Sequence, residues 1–164
     1  MIKALFLDID GTLVSFETHR VGSPTRNALA EARRRGLLLF IATGRHRCDL
    51  NNLGDLAFDG YVTLNGQYCY DARGVIYRRS IDPNDIRTAV GLIEREPFPC
   101  LFIEEDRMYI NCADDNFRAA QRLLNDLVEL VRPAHAVRPG AVGDVVVYAH
   151  REPVSYTHLT LPTN

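Results

Sequence analysis

The 164-residue chain reads as an α/β protein: a parallel β-sheet core followed by a second α+β unit. Two observations carry that prediction. From the N-terminus, short apolar runs alternate with stretches of helical periodicity, the pattern of strands joined by crossover helices that cover both faces of a sheet. Each of the first three apolar runs also ends in polar or glycine-rich residues, and open α/β sheets bind ligands beyond the carboxyl ends of their strands.

The elements follow in order. Residues Lys3 to Asp8 read as a first strand. A helix begins at Ser23, with Pro24 suited to its first turn, and stops at Gly36. Arg33-Arg34-Arg35 lies late in that helix, where cations suit the helix dipole. Leu37 to Ala42 reads as a second buried strand, a short helix is expected over Asp49 to Leu56, and a third strand spans Tyr61 to Leu64. Gln67 to Tyr70 and Val75 to Arg79 form a hairpin across Asp71-Ala72-Arg73-Gly74. From Asp82 the pattern changes to a helix from Pro83 to Glu96, strands at Cys100 to Glu104 and Met108 to Asn111, a helix over Asp115 to Leu127, and strand-like stretches near Leu130 and at Val145 to Ala149. The second unit is expected to be a lid over the crevice formed by the first.

A hydrophobic content of 46% supplies a packed core, and a net charge of −2 with acids and bases interspersed leaves no basic face for nucleic acid and no polybasic membrane patch. Cys48, Cys69, Cys100 and Cys112 have no Cys-x-x-Cys spacing, and no signal peptide precedes the first strand, so a reducing cytoplasm is the expected setting. No apolar run approaches the length of a membrane span. The histidines show no ligand-like spacing, and His46 is expected on the surface.

The chemistry concentrates in Asp8-Ile9-Asp10-Gly11-Thr12, which puts two carboxylates at the end of a buried strand. Two ionised acids one residue apart repel, so either one pKa is raised or a bound cation offsets the charge. An EF-hand calcium loop would need Gly at its sixth position and Glu at its twelfth, which here are Leu13 and His19. Solvated acids in an ordinary turn after a strand are the plainer alternative.

These residues resemble the haloacid dehalogenase-like phosphohydrolases, specifically the Cof-type members of subclass IIB, over roughly residues 1 to 150. Phe6-Leu7-Asp8-Ile9-Asp10-Gly11-Thr12-Leu13 matches that family's motif I, Ile41-Ala42-Thr43-Gly44-Arg45 its motif II, and Asn65-Gly66 lies at the third strand. The resemblance implies a Rossmann-like parallel-sheet core (residues 1–81) with an inserted α+β cap (82–153), both incomplete. It implies that Asp8 attacks phosphorus to form an aspartyl-phosphate, and that Asp10 serves as acid and base with a pKa tuned upward. Mg2+ would sit on the Asp8 carboxylate and the Asp10 backbone carbonyl. Thr43, Gly44, Arg45 and Asn65 would face phosphate or substrate. The implied substrate is a small phosphorylated metabolite, a sugar phosphate or phosphorylated cofactor.

The chain departs from the family in two places. Lys3 is its only lysine, so the motif III lysine is absent. Motif IV, Gly-Asp-x-x-Asn-Asp, is imitated only by Gly143-Asp144, which reads as a turn into a cap strand. Residues Val154 to Asn164 resemble a sequencing-library transposase adapter translated in frame. The expectation is therefore a chain cut inside the cap, with strand one left as an apolar edge. Alternatives to a phosphatase are an inactive fragment that binds phosphate or metal weakly, a phosphomutase of the same superfamily, and an aspartyl receiver domain. The receiver reading wants a phosphoacceptor on a later strand and a lysine beyond it.

Overall fold

In the computed structural model of the chain, the described residues are 2–112 together with the strands Val128–Leu130 and Asp144–Val147. The chain divides into two compact units, Met1–Arg79 and Ser80–Asn164.

The first unit is built on a five-stranded sheet in the order β1 (Ala4–Leu7), β2 (Leu38–Ala42), β3 (Gly60–Thr63), β4 (Tyr68–Asp71), β5 (Gly74–Arg78). The first three strands are parallel, as the alternation of strand and helix predicts, and β4 and β5 add an antiparallel hairpin. The result is a mixed sheet of the α/β class. Register aligns the exits of the parallel strands: Leu7 pairs Ile41, and Ile41 pairs Tyr61. Asp8, Thr43 and the residues after Thr63 therefore leave the sheet at the same edge, which is the arrangement ligand-binding loops require.

Helix α1 (Ser23–Arg34) carries proline in its first turn and Arg33 and Arg34 in its last. It ends where Gly36 takes φ +80°, a left-handed conformation that costs glycine little and closes the helix with bonds back to Arg33 and Ala32. The basic run is structural in this setting: Arg34 and Arg35 pair with Glu31, and Arg33 donates to the Ala57 carbonyl.

Leu39 and Ile41 point from β2 into a core with Ile9, Leu13, Val14, Val21, Leu29 and Leu53. Among the described residues, the expected helical cover is seen on one face of this sheet. Phe6, on the opposite side of β1, is 63% exposed and stacks on Phe40 at 4.8 Å. Both α1 and the segment around Leu53 contribute side chains to the same core, so the helical cover of this unit belongs to one side of the sheet.

The short helix expected over Asp49 to Leu56 is instead two single 3-10 turns, Arg47–Asp49 and Asn51–Leu53. Asp49, Asn51 and Asn52 bond readily to nearby backbone or side chains and are poor in helix interiors, and Gly54 at φ +66° ends the second turn. His46 is not on the surface either: it is 4% exposed, and its Nδ1 accepts from the Cys48 amide to cap the first turn. The hairpin turn is tighter than expected. Asp71 pairs Gly74 directly, and the Asp71 carboxylate accepts from the Arg73 amide at 2.8 Å.

The second unit opens with α2 (Pro83–Arg95), whose first turn is capped by the Asp82 carboxylate accepting from the Asn84 amide at 2.7 Å. Its four-stranded sheet has the order β8 (Val128–Leu130), β7 (Met108–Ile110), β6 (Cys100–Ile103), β9 (Asp144–Val147). Ile86 and Ile93 of α2 pack on Cys100, Phe102 and Tyr109. Asp144 begins β9, paired with Ile103, which agrees with reading Gly143-Asp144 as an entry into a strand. The helix predicted over Asp115 to Leu127 and the tail from Val154 lie outside the described residues.

Candidate active site

Beyond β1 the chain turns sharply. The buried Ile9 carbonyl accepts from the amides of Thr12, Leu13 and Val14 at 3.3, 3.0 and 2.9 Å, and Gly11 takes φ +74°. Ile9 is fully buried and anchors this turn. Asp8 and Asp10, one residue to either side of it, are both exposed to solvent. The sequence Asp-Ile-Asp-Gly thus turns two carboxylates outward by sinking the residue between them.

The second strand brings Thr43-Gly44-Arg45 to the same edge. Thr43 is 6% exposed, and its Oγ1 accepts from the Arg45 amide at 3.1 Å, which leaves the hydroxyl proton able to donate. The third strand exit is tied to this loop: the Asn65 amide donates to the Thr43 carbonyl at 3.2 Å and the Leu64 amide to the Arg45 carbonyl at 3.2 Å. Leu64 and Asn65 both hold positive φ, 49° and 52°, a conformation leucine rarely adopts. The Asn65 side chain lies against Gly44, where a Cβ would come within 3.1 Å of Asn65 Oδ1, so glycine here allows the two loops to close together. The residues singled out on strands two and three are therefore brought to one place.

Arg45 joins this loop to the acidic turn. Its Nε and Nη2 donate to Asp10 Oδ2 and Oδ1 at 2.9 and 2.6 Å, a bidentate pair of the strong, charge-assisted kind. Nη1 donates to the Asp49 carbonyl at 3.1 Å and lies 3.5 Å from Asp49 Oδ2. The Asn52 amide, oriented with its oxygen toward the guanidinium, accepts from Nη2 at 3.2 Å and Nη1 at 3.1 Å.

The electrostatics reverse one expectation. Asp10 is not tuned upward: the Arg45 hydrogen bond, aided by the charges of Arg45 and His19, holds its carboxyl below the usual carboxylate range against a smaller opposing effect of burial. The guanidinium is in turn held more firmly protonated, chiefly by that bond and further by the charges of Asp49, Asp10 and Asp8. The cation that offsets the paired acids in this structure is Arg45. Asp49 moves the other way, because burial outweighs the attraction of Arg45.

Asp49 and Asn52 are the members of the cluster that sequence reading missed. Their signal in the sequence is the placing of Asp49 four residues after Arg45. For a metal ion, the described residues hold no cluster of three or more His, Cys, Asp or Glu side chains.

The model of the haloacid dehalogenase-like hydrolase family matches residues 5–134. The chain belongs to this family. The Bacillus subtilis protein YkrA is 32% identical over 113 residues, covering 68% of this chain and 44% of YkrA. HMP-PP phosphatase of Shigella flexneri serotype 5b is 35% identical over 92 residues, covering 55% of this chain and 34% of that enzyme. Among solved structures, the subclass IIB sugar phosphatase BT4131 superposes with a TM-score of 0.78 at 37% identity, covering 88% of this chain and 58% of its own. The chain thus spans about half or less of the length of the curated relatives it matches. Both the family and the subclass of its structural neighbour agree with the resemblance drawn from motifs I and II.

Proposed function

We propose that the protein is a magnesium-dependent phosphatase of small phosphorylated metabolites, sugar phosphates or phosphorylated cofactors, working through an aspartyl-phosphate on Asp8. The observation that carries this reading is the bidentate Arg45–Asp10 pair at the aligned strand exits, with Asp8 exposed two residues before Asp10 and Thr43 buried beside Arg45. Phosphatase relatives support the reaction class.

In this reading the exposed Asp8 carboxylate is the nucleophile. The Thr43 hydroxyl, whose oxygen is occupied by the Arg45 amide, turns its proton to a phosphoryl oxygen. Gly44 and Asn65 shape the pocket floor, with Asn65 offering its amide to phosphate or substrate. Asp10, whose carboxyl Arg45 holds below the usual carboxylate range, is the group that takes the proton of the hydrolytic water. Its acid half-reaction requires the Arg45 pair to loosen when the phosphoryl group arrives, so that the carboxyl can carry a proton to the leaving alcohol. Arg45 would then be free to meet the phosphoryl oxygens.

The donors present fit Mg2+: the Asp8 carboxylate and the Asp10 carbonyl are hard oxygens, and magnesium takes one or two such protein ligands and completes its shell with phosphate and water. When bound it would neutralise phosphoryl charge and let an anionic nucleophile approach. The second unit, residues 82–153 in the sequence reading, is the proposed lid that excludes water and selects the leaving group. Cys69 and Cys100 are free thiols, and no helix among the described residues is long and apolar enough to cross a membrane. The proposed setting is the cytoplasm, which reduced cysteines would suit.

The test is release of inorganic phosphate from a panel of sugar phosphates and from p-nitrophenyl phosphate, with magnesium and with a chelator. The reading expects release that needs the metal and is lost in Asp8→Asn. Turnover that survives Asp8→Asn removes the nucleophile assignment.

A further inference from the structure

The guanidinium of Arg45 has five N–H donors in a rigid fork, and among the described residues the acceptors of Asp10, Asp49 and Asn52 account for all of them. Arg45 is 19% exposed and Asp49 10% exposed at their side chains, whereas Asp10 is 43% exposed. The guanidinium therefore has a buried side, formed by Asp49 and Asn52, and an open side that presents two parallel N–H groups to Asp10. Asp49 Oδ1 is buried with no hydrogen-bond partner among the described residues. An orphaned carboxylate oxygen is a costly thing to keep in a protein interior. A neutral side chain would suit the same place in the fold better, so the charge calls for an explanation beyond packing.

We propose that Asp49 and Asn52 are positioning residues that seat the Arg45 guanidinium from behind, so that its Nε and Nη2 fork meets the Asp10 carboxylate in register. The proposal rests on the reading of Asp10 as the proton-transfer group, and it assigns the 3-10 turns between β2 and β3 a purpose. A continuous helix through this segment would have a different backbone path at Asp49 and Asn52, whereas the two short turns place the Asp49 carbonyl, the Asp49 carboxylate and the Asn52 amide around one guanidinium. His46 fixes the first of these turns through its cap on Cys48, and Gly54 ends the second. The consequence is that Arg45 is held by its back edge when the Asp10 pair opens. Its front edge can then exchange between Asp10 and an anionic ligand without the side chain leaving the site.

The test reads the guanidinium directly. In the isotope-labelled 164-residue chain, the solvent-exchange rate of the Arg45 Nε–H is measured by heteronuclear NMR, beside the backbone amides of Ile41 and Val62. Asp49→Asn removes the carboxylate charge 3.5 Å from Nη1 and Asn52→Ala removes the acceptor of Nη1 and Nη2; each is expected to speed Arg45 Nε–H exchange about tenfold, the scale of one interaction with a charged group, while the two backbone amides keep their rates. Unchanged Arg45 exchange in both variants overturns the proposal. So does acceleration of the Ile41 and Val62 amides by the same factor, or failure of both variants to fold, because the cluster would then only hold the strands together. Substrate and metal are absent from the measurement, so its failure leaves the phosphatase reading standing. Conversely, a lack of phosphate release with Arg45 still protected counts against that reading alone.

Discussion

Burial pushes the Asp49 carboxyl up in pKa despite the guanidinium beside it, so the folded protein favours the protonated form relative to the unfolded chain. A raised folded value gives a contribution that is present below the ordinary carboxylate range and lost as pH rises through the folded value. At neutral pH the ionised group therefore costs stability, and Asp49→Asn is expected to raise the unfolding free energy at pH 7 by on the order of 1 kcal/mol, with the gain fading toward pH 4. Denaturant titrations at the two pH values check this. Asp10 has the opposite sign, since its lowered folded value gives stability that is present above the unfolded value and lost as pH falls through the folded one. Asp10→Asn should destabilise at neutral pH, and the deficit should shrink in acid; solvent screening at this exposed pair keeps the effect small. The same substitution removes the fork's partner, so any phosphate release should fall with it.

The strands and helices were largely legible in the sequence because their signals are local. Alternating apolar runs marked β1 to β3, Pro24 and Gly36 bracketed α1, and Asp82-Pro83 opened α2. Gly36→Ala should cost about 1 kcal/mol, since alanine at φ +80° meets the left-handed penalty while nothing lies within 4 Å to clash; thermal unfolding measures it. The segment between β2 and β3 was misread for an equally physical reason. Its leucines have helical spacing, but Asp49 and Asn52 are engaged by Arg45, and that competition is invisible to a periodicity argument. Of the site, Asp8, Asp10 and Thr43-Gly44-Arg45 could be read from their motifs. Asp49, Asn52 and the capping role of His46 could not, since each is defined by a partner or a depth of burial that only the folded chain supplies.

For the whole molecule, the mixed sheet shows what composition cannot: which face is covered. Phe6 and Leu38 are 63% and 48% exposed, and on β5 Val75, Ile76 and Tyr77 are 47%, 64% and 49% exposed. Exposed apolar edge strands invite pairing with other chains. The chain in isolation is expected to self-associate with rising concentration, and Phe6→Lys or Ile76→Lys to reduce it, as sedimentation velocity would record. A concentration-independent monomer would count against this. Phosphorylation of Asp8 is read most directly by peptide mass analysis of protein quenched during exposure to a phosphate ester and magnesium. One phosphoryl group is expected on the peptide that carries Asp8, and none in Asp8→Asn. Phosphate release without any phosphoryl group on that peptide, or with the group on another residue, would contradict it.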